Sequence, residues 1–260
     1  MTAARDEFTV EEVAAFQRDG FVIARGLTDN ETLARMRAAT EDGLRRDIAP
    51  VEYEADLQYP GAPTSKEVAG GRTIRRLKQA ASRGPVFLEW MTQPIILRRL
   101  QQLLGPKVVC PLAHHNCIMT KQPEFSSDTG WHQDIRYWSF QRPELINAWI
   151  ALGEERTENG GLFVIPGSHR MNFSSHQFDE AKFYRSDLPE NQAQIATKVA
   201  VELLPGDVLF FHCLTLHAAT RNFTTAPKWS VVFTFRPADN TPMAGTRSAQ
   251  SPELLLTPGI

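Results

Sequence analysis

From Lys107 onward the chain is a succession of short apolar runs, each closed by a turn signal: KVVCPL, HNCIMT, LINAWIAL, GLFVIPGS, KVAVELL, DVLFFH and WSVVFTF. Glycine and proline supply the punctuation, as in Asn159-Gly160-Gly161, Pro166-Gly167 and Pro205-Gly206. Many short strands joined by such turns bury their apolar faces as a sandwich or barrel. The first hundred residues read differently. Thr9-Val-Glu-Glu12 is a capping box that opens a helix through Val13, Ala14 and Phe16, and Gly20 ends it. FVIAR, Phe21 to Arg25, follows as a strand. Thr28 to Glu31 reads as a second capping box before a helix through Leu33, Met36 and Leu44. Two more helices, Pro85–Met91 and Pro94–Leu104, each carry proline at the start, where its missing N–H costs nothing. Helices first and strands after give an α+β class with an all-β core. The expected organisation is one domain over 1–260, with a mainly helical part at 1–106, the strand core at 107–240 and a tail at 241–260.

Composition narrows the setting. With 42% hydrophobic and 22% charged residues, the chain can bury a sizeable core. Twenty-eight basic against 30 acidic residues leave a net charge of −2, so no global field draws it to nucleic acid or an anionic membrane. No apolar run is long enough to span a bilayer, and the start, MTAARDEF, is polar. Cys110, Cys117 and Cys213 form neither a disulfide framework nor a zinc ribbon, and a reducing cytoplasm is the expected compartment. Residues 47–73 and 171–197 are long, polar and irregular, which predicts lids or binding loops. Oligomeric state is not written in the pattern.

Histidine placement carries the chemistry. Among seven histidines, His132-Gln-Asp134 is a His-x-Asp pair, and on extended backbone residues i and i+2 point to one side. His217, beyond the run Asp207–His212, is the candidate third ligand. Two imidazoles and one carboxylate on one face leave the other half of an octahedron open, the ligand set of Fe(II) oxygenases. His114, His115, His176 and His212 also have a structural reading, preferred for His176 and His212.

The wider sequence resembles the phytanoyl-CoA dioxygenase family. The resemblance runs through Trp131-His-Gln-Asp-Ile-Arg-Tyr137, Ala148-Trp-Ile-Ala-Leu152, Asn159 to His169 (NGGLFVIPGSH), and Pro205-Gly-Asp-Val-Leu-Phe-Phe to His217. Phe16-Gln-Arg-Asp-Gly-Phe-Val-Ile extends it toward the N-terminus. It implies a double-stranded β-helix, jelly-roll and cupin-like, with the N-terminal helices packed on it. It implies Fe(II), O₂ and 2-oxoglutarate, and hydroxylation or another oxidation of an unactivated C–H of a small molecule, with release of succinate and CO₂. His132, Asp134 and His217 fall on the family's iron ligands. The family's cosubstrate arginine falls on Lys228, and Lys228-Trp-Ser230 keeps the outline of its Arg-x-Ser pair. Lysine supplies the charge without the bidentate fork. A surface lysine is the other reading, with Arg236 on the same strand face as a substitute. The resemblance also implies that His115 and Trp149 lie near the cosubstrate, although Trp149 suits a core equally. Asn222 and Thr224 are expected to fix the loop after His217. Ser168 and His169 belong to a structural turn.

Arg72, Arg75, Arg76 and Lys78 read either as a site for an anionic substrate or as a solvated face. Three other functions compete. A radical halogenase would replace the carboxylate ligand, which Asp134 retains. A cupin-like binding module would lack turnover. A zinc hydrolase would need a general base that the pattern does not supply.

Overall fold

The computed structural model describes residues 6–258; residues 1–5 of the polar start and 259–260 of the tail lie outside it. The chain opens with helix α1 (Val10–Asp19), strand β1 (Phe21–Ala24) and helix α2 (Asn30–Arg45). The Thr9 capping box forms as expected: Thr9 Oγ1 accepts from Glu12 N, and Thr9 N donates to the Glu12 carboxylate. The second cap is displaced by one residue. Asp29, not Thr28, caps α2 and accepts from Thr32 N at 2.9 Å. Thr28 is occupied inside the core, where its hydroxyl accepts the indole N–H of Trp90 at 2.9 Å.

The segment 47–73 contains more structure than its composition predicts. Strand β2 (Val51–Tyr53) pairs with β3 (Ile74–Lys78), and β3 pairs with a strand of the core. Helices α3 (Pro85–Thr92) and α4 (Pro94–Leu104) follow, both opened by proline. The core strands are β4 (Val108–Pro111), β5 (Asn116–Lys121), β6 (Thr129–His132), β7 (Ile146–Ala151) and β8 (Leu162–Val164). The insertion 171–197 holds a 3₁₀ turn, Ser175–Gln177, and one short α-helix, α5 (Pro189–Ile195). Then come β9 (Val199–Ala200), β10 (Val208–His212), β11 (His217–Ala219), β12 (Lys228–Pro237) and β13 (Glu253–Leu255). KVAVELL thus contributes only a two-residue strand.

All pairings are antiparallel. The larger sheet runs β1-β10-β7-β12-β5-β3-β2, with β4 and β13 attached through β12, and the smaller runs β6-β11-β8-β9. This is the double-stranded β-helix, and among the described residues neither sheet closes on itself. Alternation along β12 sorts the molecule into layers. Val231, Phe233 and Phe235 pack on the helices with Trp90, Phe87 and Met36. Val232, with Phe211 of β10, faces Leu162 and Val164 of the small sheet, and Lys228, Ser230 and Thr234 share its parity. The inter-sheet face of an otherwise apolar core therefore carries a row of polar groups.

Replacing Thr28 by valine leaves the buried Trp90 N–H without an acceptor. Denaturant unfolding should show a loss of about 1–3 kcal/mol at unchanged slope. An unchanged midpoint would mean that this hydrogen bond contributes nothing.

Candidate metal centre

The register of β6 and β11 sets the centre. His132 and His217 are direct cross-strand partners, so their imidazoles leave the sheet on one face, with ring centroids 4.1 Å apart. Each ring is fixed by its own strand. His132 Nδ1 lies 2.8 Å from Gly130 O, and His217 Nδ1 lies 3.0 Å from Thr215 O. A carbonyl only accepts, so each Nδ1 carries a proton and, in the neutral ring, Nε2 presents the lone pair. Asp134 follows β6 at the start of a 3₁₀ turn, Asp134–Tyr137. Its Oδ1 lies 3.6 Å from both Nε2 atoms. The three donor groups are buried and mutually within 4.8 Å, the one such metal-ligating cluster among the described residues.

The protonation states suit a cation. Burial pushes the His132 pKa down to about 3, with nearby His217 adding to the effect, so its imidazole is neutral at neutral pH. For Asp134 burial acts upward, but His115, His217 and His132 outweigh it, and the carboxyl is held well below the usual range. One anionic oxygen facing two bare nitrogens is a donor set with the chemistry of a facial triad.

Asn147, which the sequence reading missed, orients that carboxylate. It is fully buried in β7, and its Nδ2 donates to Asp134 Oδ2 at 2.8 Å. Its Oδ1 accepts from Thr234 Oγ1 at 2.6 Å and lies 3.3 Å from His115 Nδ1. A carboxylate cannot donate, so the amide orientation is determined and Oδ1 of Asp134 is left facing the two imidazoles. The available signal was a lone carboxamide inside the apolar run LINAWIAL, where a buried amide must be satisfied. His115 Nε2 lies 3.5 Å from Asp134 Oδ1, so His115 borders the centre without joining the three-residue cluster.

Lys228 is buried, not a surface lysine. Its ammonium bonds Glu155 Oε2 at 3.0 Å and Ser230 Oγ at 3.2 Å, and stands 4.9 Å from the Trp149 ring centroid. Ser230 and Trp149 both donate to Glu155 as well, at 2.6 Å and at 3.0–3.1 Å. Glu155 is the second residue missed, hidden in the charged turn Gly153-Glu154-Glu155-Arg156. Lys228, Trp149 and His115 line one inter-sheet cavity with His132, Asp134 and His217. Arg236 does not join them. Its guanidinium pairs with Glu253 and donates to the carbonyls of Pro237 and Ala238. The shared strand face was read correctly, but eight residues at ~3.3 Å each carry Arg236 past the cavity. The basic stretch divides: Arg72 and Lys78 are exposed, whereas Arg75 and Arg76 turn inward. Arg75 is 1% exposed and bonds Ser127 and Thr129, while Arg76 pairs with Glu52 at 3.2 Å. Asn222 holds the carbonyls of Lys121 and Ala226, and Thr224 closes on Asn222.

Fold and donor set together define a class, the non-haem iron, 2-oxoglutarate-dependent dioxygenases. Within it, the family described as phytanoyl-CoA dioxygenase (PhyH) matches residues 16–230, and the chain belongs to that family. It is similar to the ectoine dioxygenase of Bordetella parapertussis, at 24% identity over 91% of this chain and 78% of that protein. Among solved structures it resembles EctD from S. alaskensis with 2-oxoglutarate and 5-hydroxyectoine, at 22% identity and a TM-score of 0.73, over 94% of this chain and 80% of that one. It resembles equally the α-ketoglutarate-dependent carbocyclase SnoK from nogalamycin biosynthesis, at 22% identity and a TM-score of 0.72, over 96% and 97% of the two chains.

Asn147→Leu preserves volume but releases the Asp134 carboxylate. Divalent-metal affinity, followed by Co(II) titration, should fall about tenfold to a hundredfold. Unaltered affinity would show that Asp134 is positioned without the amide.

Proposed function

We propose that His132, Asp134 and His217 hold one Fe(II), and that Lys228 with Ser230 holds the far carboxylate of 2-oxoglutarate. The carrying observation is the single carboxylate oxygen that faces two lone-pair nitrogens inside a buried cavity. Iron, dioxygen and 2-oxoglutarate together supply oxidation of an unreactive C–H bond, with succinate and CO₂ as coproducts. The chain's own residues hold, orient and seal. His132 and His217 contribute Nε2, Asp134 contributes Oδ1, and Asn147 keeps Oδ2 turned away. The Lys228 ammonium has three donors, of which Glu155 and Ser230 engage two, so one remains for the cosubstrate. Leu162, Ala218, Ala219 and Met119 form the apolar wall that excludes water.

The substrate approaches through a cleft of about 590 Å³ that ends on His132 and Asp134. Its walls include Tyr59, His114, Tyr137 and Trp138, with the cations Arg76, Lys78, Arg136 and Arg247 outnumbering the carboxylates of Glu52 and Asp134. That lining suits a small polar molecule bearing negative charge. The three thiols are free and buried, consistent with a reducing compartment such as the cytoplasm. No described helix is long and apolar enough to cross a membrane.

Both long insertions reach the centre. Tyr59 from 47–73 meets Phe183 from 171–197 edge-on at 5.4 Å, and Phe183 meets the His132 ring at 5.8 Å. Arg136 stacks over Phe183 at 4.1 Å, and the Tyr137 hydroxyl donates to Ala181 O. We read the two segments as a joint cover that sets substrate choice.

Two outcomes follow. The purified chain should take up one Fe(II) and consume O₂ only with 2-oxoglutarate. His132→Ala should abolish both while circular dichroism stays native; a variant that binds iron and turns over normally refutes the ligand assignment. Hydrogen exchange should slow around Tyr59 and Phe183 when substrate and cosubstrate bind with a redox-inactive metal. Slowing confined to β6 and β11 would remove the cover role and leave specificity to the cleft wall.

A further inference from the structure

Strand register places a second lysine at the cosubstrate pocket. Lys121, at the end of β5, is the direct cross-strand partner of Lys228 on β12. The two residues are 5% and 3% exposed. Like charges directly opposite on a sheet repel, and burial magnifies the repulsion. An arrangement of this kind persists when an anion compensates it. The local anions do not suffice. Glu155 lies against Lys228 at 3.0 Å, and Arg75 and Arg76 share Glu52 and Glu54. Asp128 is taken by Arg221 at 2.7 Å. Lys121 makes no ion pair among the described residues; its ammonium donates to the carbonyl of Ser127 and keeps two donors unspent.

Local backbone delivers the ammonium to this place. Asn222 holds the Lys121 carbonyl at 2.9 Å. Gly160, at φ +85°, passes beside the lysine stem, where an added Cβ would come within 3.1 Å of Lys121 Cγ and 2.8 Å of Thr220 O. Lys121 and Lys228 line the same cavity as the three metal-ligating residues.

We propose that Lys121 is a second anchor for the far carboxylate of the 2-oxo acid, gripping it together with Lys228. The proposal rests on the reading of Lys228 as the cosubstrate anchor and extends it. Two lysines and Glu155 leave one positive charge, and one incoming carboxylate cancels it. Lysine in place of arginine provides one point charge and loses the fork. With Glu155 already drawing on Lys228, a second ammonium restores two-point recognition. Burial, reinforced by Arg75 and Lys228 and only partly offset by Glu54 and Asp128, holds the Lys121 pKa well below the usual lysine range, and an incoming carboxylate would favour its charged form.

The test uses nickel-loaded protein and two probes that differ only at the far end, 2-oxoglutarate and 2-oxopentanoate. Calorimetry should show that the wild type prefers 2-oxoglutarate. Lys121→Met should weaken 2-oxoglutarate by about tenfold to a hundredfold and leave 2-oxopentanoate unchanged. The ligand-free variant should also melt at a higher temperature than wild type, because a repelling buried charge is gone. If Lys121→Met keeps the full preference while Lys228→Met loses it, Lys121 is no anchor and Lys228 stands alone. If the wild type shows no preference at all, the Lys228 reading fails, and this proposal with it.

Discussion

The hydrogen bond from Asn147 to Asp134 Oδ2 fixes which carboxylate oxygen faces the two imidazoles, and the rest of the site is arranged around that choice. Cross-strand pairing of His132 with His217 would place two imidazoles side by side in many sheets. Here a third donor arrives from the turn after β6 and is held in one orientation, which makes the trio a candidate metal centre. Asn147 spans two strands to do this, with Thr234 of β12 on its other side. The large sheet thus aims a ligand that belongs to the small sheet. Any slip in register between β7 and β12 would move Asn147 to the helix-facing side and lose the centre.

Polar groups on the inner face of β12 are costly, and the fold offsets the cost in different ways along the strand. Thr234 is satisfied by Asn147, Ser230 and Lys228 by Glu155, and Arg236 by Glu253. On the opposite face of the same strand, Phe233 and Phe235 pack into the helical layer without a polar atom. Stability therefore resides mainly between the helices and the large sheet. The inter-sheet space holds the His132, Asp134 and His217 cluster and Lys228, and Lys121 is the buried cation there that makes no ion pair among the described residues.

Legibility in the sequence followed the range of the interaction. The Thr9 capping box and the two proline-led helices depend on residues three or four apart, and they formed as written. The His-x-Asp pair was readable because spacing and family context agreed. Strand β3 was hidden in a run of cations, since what makes Arg75 a buried residue is Glu54 and Ser127, both distant in sequence. Glu155 looked like one of several turn carboxylates, and only the return of β12 shows that it meets Lys228. Arg236 failed for a different reason, because parity along a strand gives the face but not the distance to a site.

The central claim is that one oxygen of Asp134 and two imidazole nitrogens form a pre-oriented iron face beside a lysine-lined carboxylate pocket. The most direct measurement is an anaerobic crystal structure of the Fe(II)–2-oxoglutarate complex. The account predicts iron on His132 Nε2, His217 Nε2 and Asp134 Oδ1, with Asn147 still on Oδ2. It also predicts the far carboxylate between Lys228 and Lys121. Iron bound through Asp134 Oδ2, or a cosubstrate whose far carboxylate points into the outer cleft toward Arg136, would contradict it.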